Sequence, residues 1–387
     1  MRAASIAATC ATPPWPRWGR AVASLAIRIG CIVGMLWMPV LVGCGDDSHA
    51  SAPSQRPISA AAETRALLGA IPSGGPGCAV VVVQGERPIF SAAVGQSTLD
   101  PSRPLTVDTA VDIASTAKQF TAVAVLRLVD RGVVGLNTPL SRYISELPAP
   151  IGSVTVGQAL HHQSGIPDYV GLLASRLDDR VTNEDALRAL IAAHDLEFKP
   201  GSQFRYSNSN YLLLGQVVER ASGMSLARFL TRKVLAPAGV TARFTASSTS
   251  RSYRTTGGAW IAADPPWQTT GDGGMWMSPR DLARWAAQYW EATIGGESMT
   301  RLMLRDAVAT PIGRYGTGIV EARLPDGSRM LGHDGRWGGY TTVFVVLPDE
   351  RRAIVMTCNG LTADGLPVGG IDVQRLIAIW HDTDGPG

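Results

Sequence analysis

Ser115-Thr116-Ala117-Lys118 sets a hydroxyl and an amine three residues apart. At a helix start these two side chains share one face, one turn apart. A serine hydroxyl is a poor nucleophile until a neighbouring base takes its proton. A lysine can be that base once burial and nearby cations lower its pKa, whereas arginine does not deprotonate in proteins. Of the 35 basic residues in the chain only three are lysines, Lys118, Lys199 and Lys233, so a lysine at this place asks for a reason. The backbone N–H of Ser115 at a helix N-terminus would also favour a developing oxyanion. The competing reading is a capping serine before an ordinary surface lysine.

Two further groups carry compatible chemistry. Tyr206-Ser207-Asn208 lies 91 residues after Ser115, in Pro200–Asn208, just before a helical pattern. A tyrosine hydroxyl near an ammonium can relay a proton, and an asparagine can orient a lysine or a substrate amide. Alone, this stretch reads better as a turn with a capping asparagine. His333-Asp334-Gly335 lies 218 residues after Ser115 and is expected at the start of a strand that continues through Thr341–Leu347. A donor on a strand edge can bind a substrate carboxylate or carbonyl, and the glycine would let a substrate backbone come close. Its competing reading is a hairpin turn rich in Asp and Gly.

The elements that must hold these residues follow from hydrophobic spacing. Residues 59–71 have helical spacing. Cys78–Gln84 is a compact β-branched run and so a strand, with Pro88–Gly95 as its hairpin partner. The pattern turns helical from Ala114, and Gly132 ends it. Residues 154–163, 182–194, 209–222 and 225–236 are further helix candidates. Ser278-Pro279-Arg280-Asp281 starts another, with Ser at the cap and Pro at the first helical position, running through Tyr289. Tyr315–Arg323, Thr341–Leu347 and Arg352–Cys358 read as strands, and Val368–Trp380 as a closing helix. Strands at both ends with helices between predict an α+β fold: one mainly antiparallel sheet built from both chain ends, with an inserted helical lobe.

The ordered set Ser-x-x-Lys, Tyr-x-Asn and a third motif ending in Gly resembles the serine β-lactamase and penicillin-binding protein superfamily. Tyr-Ser-Asn as the second motif is similar to the class C β-lactamases and to DD-peptidases and esterases of similar fold. His161–Tyr169, Asn208–Gly215, Asp272–Met275 and the Ser278–Trp285 helix also resemble family segments, from about residue 60 to 382. The resemblance implies the same sheet flanked by helices and an acyl-serine reaction on an amide or ester. It implies Ser115 as nucleophile, Lys118 as base, Tyr206 as general acid and base, and Asn208 as the group orienting Lys118 and substrate. It implies His333 and Gly335 as substrate-binding residues, with the backbone N–H of Ser115 and Arg336 as the oxyanion hole. His333 stands where the class C enzymes usually have lysine. Because histidine is only partly charged near pH 7, efficient β-lactamase action is not expected to be the main activity. A D-alanyl peptide, an ester and a β-lactam remain open as substrates. A protein acylated at Ser115 without turnover and a true class C-like β-lactamase remain the alternatives. The family sheet sets its first strand beside its last, which implies a disulfide between Cys78 and Cys358. Two buried free thiols are the alternative.

The N-terminus reads as an export segment. Residues 1–28 hold four arginines and no acid, and Ile29–Gly43 is an uncharged, mostly apolar run of 15 residues. That is too short for a comfortable membrane span and suits a signal core. It ends in Leu41-Val42-Gly43-Cys44, which resembles a lipoprotein lipobox and implies lipidation of Cys44, a membrane anchor and a periplasmic location. A plain cleaved signal or a membrane anchor is the alternative. Residues 1–44 are therefore read as the export segment, 45–58 as a flexible tether, and 59–382 as the hydrolase domain.

A net charge of +3, with 17% charged residues, gives no case for nucleic acid. The six histidines (49, 161, 162, 194, 333, 381) show no zinc-site spacing, and no G-x-S-x-G elbow occurs, so neither metal nor cofactor is expected. The expected partner is a small molecule or peptide. Oligomeric state is not legible.

Overall fold

The structure is a computed structural model that describes residues 59–246 and 249–381. The export segment, the tether and Cys44 lie outside the described residues. Eight strands form one sheet: β1 (Cys78–Gln84), β2 (Arg87–Val94), β3 (Val308–Thr310), β4 (Gly313–Tyr315), β5 (Val320–Arg323), β6 (Arg329–Trp337), β7 (Tyr340–Leu347) and β8 (Arg352–Cys358). Their spatial order is β3-β4-β5-β6-β7-β8-β1-β2, and neighbouring strands are antiparallel. The first two strands thus close one edge of a sheet otherwise drawn from the last third of the chain.

Residue alternation sorts this sheet into two cores. Val81 and Val83 of β1, Phe344 and Val346 of β7, and Ala353 and Val355 of β8 face the larger core. Val80, Val82, Val343, Val345, Ile354 and Met356 face the smaller one. The smaller core is covered by α1 (Ala60–Leu68), capped by Ser59. The helical lobe supplies the larger core through α2 (Lys118–Asp130) and α3 (Asn208–Ser222), which pack together. The chain closes with α4 (Val373–His381) over the smaller core, where Trp380 Nε1 donates to Thr64 Oγ1 of α1 at 2.9 Å. Both faces of the sheet are covered, which explains why β1 is apolar along its length instead of alternating with polar residues.

Six expected elements differ, two of them only in part: the closing helix begins at Val373 after a separate 3-10 turn at Val368–Gly370, and the helix from Pro279 tightens to 3-10 winding after Trp285. Tyr315–Arg323 is not one strand but parts of two, β4 and β5, joined by a turn at Gly316–Ile319. Gly318 makes that turn, with φ of +73°, and a Cβ there would stand 2.7 Å from Gln119 Cα of α2. Only glycine allows both the left-handed backbone and that approach. His333-Asp334-Gly335 lies inside its own strand, β6, rather than at the start of β7; the turn at Gly338 and Gly339 separates the two. The helix expected over 154–163 is confined to Val156–Leu160, which a reciprocal Thr155–Gln158 cap starts and His162 (φ +54°) follows. The helix expected over 225–236 changes winding after Leu226–Leu230 to a π-helical turn, Thr231–Leu235.

Candidate active site

Ser115 sits in a single 3-10 turn, Ala114–Ala117, that runs directly into α2. Lys118, the first residue of α2, is fully buried, while Ser115 is half-buried. Lys118 Nζ lies 3.0 Å from Ser115 Oγ, 2.8 Å from Asn208 Oδ1 and 2.7 Å from the Asp272 carbonyl oxygen. Burial lowers its pKa from 10.5 to about 8, against the opposing pull of the Asp272, Asp168 and Asp334 carboxylates. A neutral amine has two hydrogens and one lone pair. Two of the three partners, the amide oxygen and the carbonyl, can only accept. The two hydrogens therefore belong to them and the lone pair to the serine hydroxyl.

The orientation of Asn208 is itself fixed. Its Nδ2 donates to Asp168 Oδ2 at 2.9 Å, and its backbone N–H reaches the same oxygen at 3.2 Å, which turns Oδ1 toward Lys118. Asp168 also caps the short Tyr169–Leu172 helix. Asp272 holds Lys118 by its carbonyl, while its Oδ2 lies 2.9 Å from the Tyr169 hydroxyl. Burial raises the carboxyls of Asp168 and Asp272 above the usual range, although the Lys118 charge pulls both down.

Tyr206 comes to the same place just ahead of α3. Its buried hydroxyl faces the Ser115 side chain, and Lys118 Nζ lies 5.1 Å from its ring centroid. Burial raises this phenol well above 10, so it rests protonated. His162 stacks on it, ring centroids 4.3 Å apart. His162 Nδ1 lies 3.2 Å from the Ser207 N–H and 3.0 Å from Asn210 Nδ2, both donors, so its proton is on Nε2 and donates to the Tyr315 hydroxyl at 3.1 Å. Burial, then the Lys118 charge, holds His162 well below its usual pKa. His162 follows the Val156–Leu160 helix and its cap residue His161, and it braces Tyr206.

The third motif arrives on β6. His333 is buried, and burial followed by the Lys118 charge lowers its pKa to about 3. Its Nδ1–H donates to the Asp334 carbonyl at 2.5 Å. The imidazole is thus neutral, not partly charged. Asp334 beside it is raised to about 6 by burial. At Gly335 a Cβ would stand 2.2 Å from the Ile113 carbonyl and 3.1 Å from both Ala114 Cβ and Thr116 Oγ1. The glycine makes room for the turn that carries Ser115. Arg336 pairs with Thr341 in the ladder, and its exposed side chain extends toward Gly365. Trp337, on the same face as Gly335, packs on Trp267 with ring centroids 5.4 Å apart.

All the motif residues therefore converge, and the ones missed were Asp168, Asp272, His162 and Tyr315. Asp168 and Asp272 stand in the His161–Tyr169 and Asp272–Met275 segments, and an acid in such a segment is their signal in the sequence. Tyr315 left no sequence signal. Away from the site, Cys78 and Cys358 are opposite one another in the β1–β8 ladder, with Cα atoms 4.1 Å apart, and are joined as a disulfide. Among the described residues no group of three or more His, Cys, Asp or Glu could hold a metal, and no helix is long and apolar enough to cross a membrane.

The chain is similar to several known proteins. Penicillin-binding protein 4* of Bacillus subtilis is 26% identical over 311 residues, 72% of this chain and 67% of that protein. A D-aminopeptidase of Brucella anthropi is 29% identical over 306 residues, 74% of this chain, which spans only 56% of that protein's length. Among solved structures, the D-amino acid amidase of Ochrobactrum anthropi SV3 superposes with a TM-score of 0.70 at 21% identity, covering 83% of this chain and 99% of that one. The octameric penicillin-binding protein homologue of Pyrococcus abyssi gives 0.70 at 24%, covering 82% and 76%. The last two show the shared fold. The Beta-lactamase family model matches residues 65–378, a span holding the whole of the site described above, and the chain belongs to that family of hydrolases.

Proposed function

We propose that the protein cleaves an amide or ester through an acyl-enzyme on Ser115, and that its substrates are D-alanyl or related small amides and peptides rather than β-lactams. The observation that carries this reading is the partner set of Lys118: two acceptors for its hydrogens and the serine hydroxyl for its lone pair. In the first step Lys118 takes the Ser115 proton as Oγ bonds the substrate carbonyl carbon. The negative charge on the carbonyl oxygen faces the backbone N–H groups of Ser115 and Arg336. Tyr206, protonated at rest, gives its proton to the leaving nitrogen or oxygen and regains the one that Lys118 took from Ser115, which leaves the amine neutral again. Water then attacks the ester carbonyl, activated by the same base, and Ser115 recovers its proton as the acid leaves.

Neutral His333 supports the substrate choice. An uncharged imidazole attracts a β-lactam carboxylate less than an ammonium would. The names of the similar D-aminopeptidase and D-amino acid amidase point the same way. The purified protein and Ser115→Ala would be compared on chromogenic cephalosporin, D-phenylalanine amide and D-alanyl p-nitroanilide. Many amide turnovers lost in the variant, with slow cephalosporin opening, support the proposal. Fast cephalosporin turnover would make it a class C-like β-lactamase. One equivalent of acylation with no turnover on any substrate would make it a binding protein. We propose further that residues 1–44 direct export, with Cys44 lipidated and 45–58 tethering the hydrolase body to the membrane. Metabolic labelling with a fatty acid, lost in Cys44→Ala, tests this.

A further inference from the structure

Asp112 is a buried acid, 3% exposed, that the reaction above does not use. It ends a two-residue strand, Val111–Asp112, that pairs with Trp276–Met277. The next residue, Ile113, donates its N–H to the Met275 carbonyl at 2.9 Å and brings no side-chain cap to the turn that follows. Asp112 supplies the missing acceptor: its Oδ1 takes the Ala114 N–H at 2.9 Å, inside the protein.

Ala114 is where this bond matters. Its φ is +49°, a left-handed backbone that an alanine adopts at a cost of order 1 kcal/mol. Glycine would hold that conformation without strain, yet the chain has alanine immediately before Ser115. The turn is also confined on its other side, where Gly335 lies against Ile113, Ala114 and Thr116. A strained residue persists when its surroundings over-determine it. Here the surroundings are the short ladder, the β6 backbone and one buried carboxyl.

We infer that Asp112 is a positioning residue for the acylation step: by holding the Ala114 N–H it keeps the left-handed turn, and so sets the Ser115 Oγ and N–H relative to Lys118 and β6. This rests on Ser115 being the nucleophile. Its chemistry is specific, because the group needed is a short side chain ending in an acceptor. Charge is not required.

The test compares Asp112→Asn and Asp112→Leu with the parent and with Ser115→Ala, using the full chain. Asn keeps an acceptor oxygen at the same reach; Leu fills the same space without one. Single-turnover acylation by a chromogenic ester, steady-state kcat and KM, and the melting temperature are read for each. Asp112→Leu is expected to acylate 10- to 100-fold more slowly, with KM within threefold and a folded, cooperative melt, while Asp112→Asn recovers to within threefold of the parent. A Leu variant that acylates at the parent rate would overturn the inference. So would an Asn variant as slow as Leu, which would mean that charge, not the accepted hydrogen bond, is what matters. Should Leu fail to give a cooperative melt, the Asn variant alone decides: recovery supports the bond and loss refutes it. If Ser115→Ala keeps turning over, the nucleophile assignment has failed instead, which separates the two.

Discussion

Replacing Gly335 by alanine is a test of how tightly the two halves of the site are held together. The backbone of β6 at Gly335 needs no special conformation, so the obstacle is space alone. The added Cβ would stand 2.2 Å from the Ile113 carbonyl oxygen, where ordinary contact begins at 3.4 Å, a deficit of 1.2 Å (3.4 − 2.2). The Ala114 and Thr116 side-chain atoms at 3.1 Å close the sideways escape. Strand β6 and the Ser115 turn must therefore separate by about 1 Å, a misplacement that costs on the order of 100-fold in rate. That is about 2.7 kcal/mol of transition-state stabilisation. Overpacking of this kind also removes about 1–3 kcal/mol of stability. The assay is single-turnover acylation with a chromogenic ester beside thermal melts, with Gly74→Ala as control, since a Cβ there meets nothing within 4 Å. The expected result is a Gly335→Ala variant that melts cooperatively, at a lower temperature, and acylates about 100-fold more slowly, with the control unchanged. A folded Gly335→Ala variant within threefold of the parent would refute the argument that this approach sets the site.

Other expectations concern charge and cross-linking. Lys118 must be neutral to accept the serine proton, and its pKa is about 8, so kcat/KM should rise with pH and level off above about 8; a profile flat from pH 6 to 10 would remove Lys118 from the role. Asp272 is the largest influence favouring the charged lysine, so Asp272→Asn, which keeps the backbone carbonyl, should move that limb to lower pH, and a move to higher pH would contradict the assignment. Lys118→Arg should leave no measurable turnover, because the guanidinium keeps its proton. The Cys78–Cys358 disulfide should leave the intact mass unchanged on alkylation without reductant, and the Cys78→Ala, Cys358→Ala double variant should lose about 2–5 kcal/mol of stability in denaturant melts.

Much of this arrangement is legible in the residues themselves. The β-branched run at Cys78–Gln84 has one conformation to adopt, and the scarcity of lysine made Lys118 conspicuous among arginines. The Ser115–Lys118 spacing is local, so helix geometry alone brings the pair together. What failed to show was set by distant contacts. The β4–β5 hairpin depends on Gly318 meeting α2 across the lobe, and nothing within Tyr315–Arg323 announces that meeting. His333-Asp334-Gly335 looked like a turn because Asp and Gly favour turns, yet tertiary pairing with Val343, Thr342 and Phe344 overrides that preference. The roles of Asp168 and Asp272 follow from burial beside Lys118, which is a property of the assembled lobe and of no single segment.

The joining of the chain's two ends in one sheet has a consequence in time. Strand β1 is flanked by β2, made within a few residues, and by β8, whose Cys358 pairs with Cys78 from 280 residues away. At 5–20 residues per second, a ribosome needs roughly 14–56 s to deliver that partner. Throughout that wait the edge of β1 that will meet β8, with its row of valines, has no native neighbour and resembles the open edges on which chains aggregate. Closing the sheet also demands contacts of very long sequence separation, which folds slowly. Closure of the sheet therefore cannot begin until synthesis is nearly finished, and the nascent N-terminal hairpin stays exposed until the last strands exist.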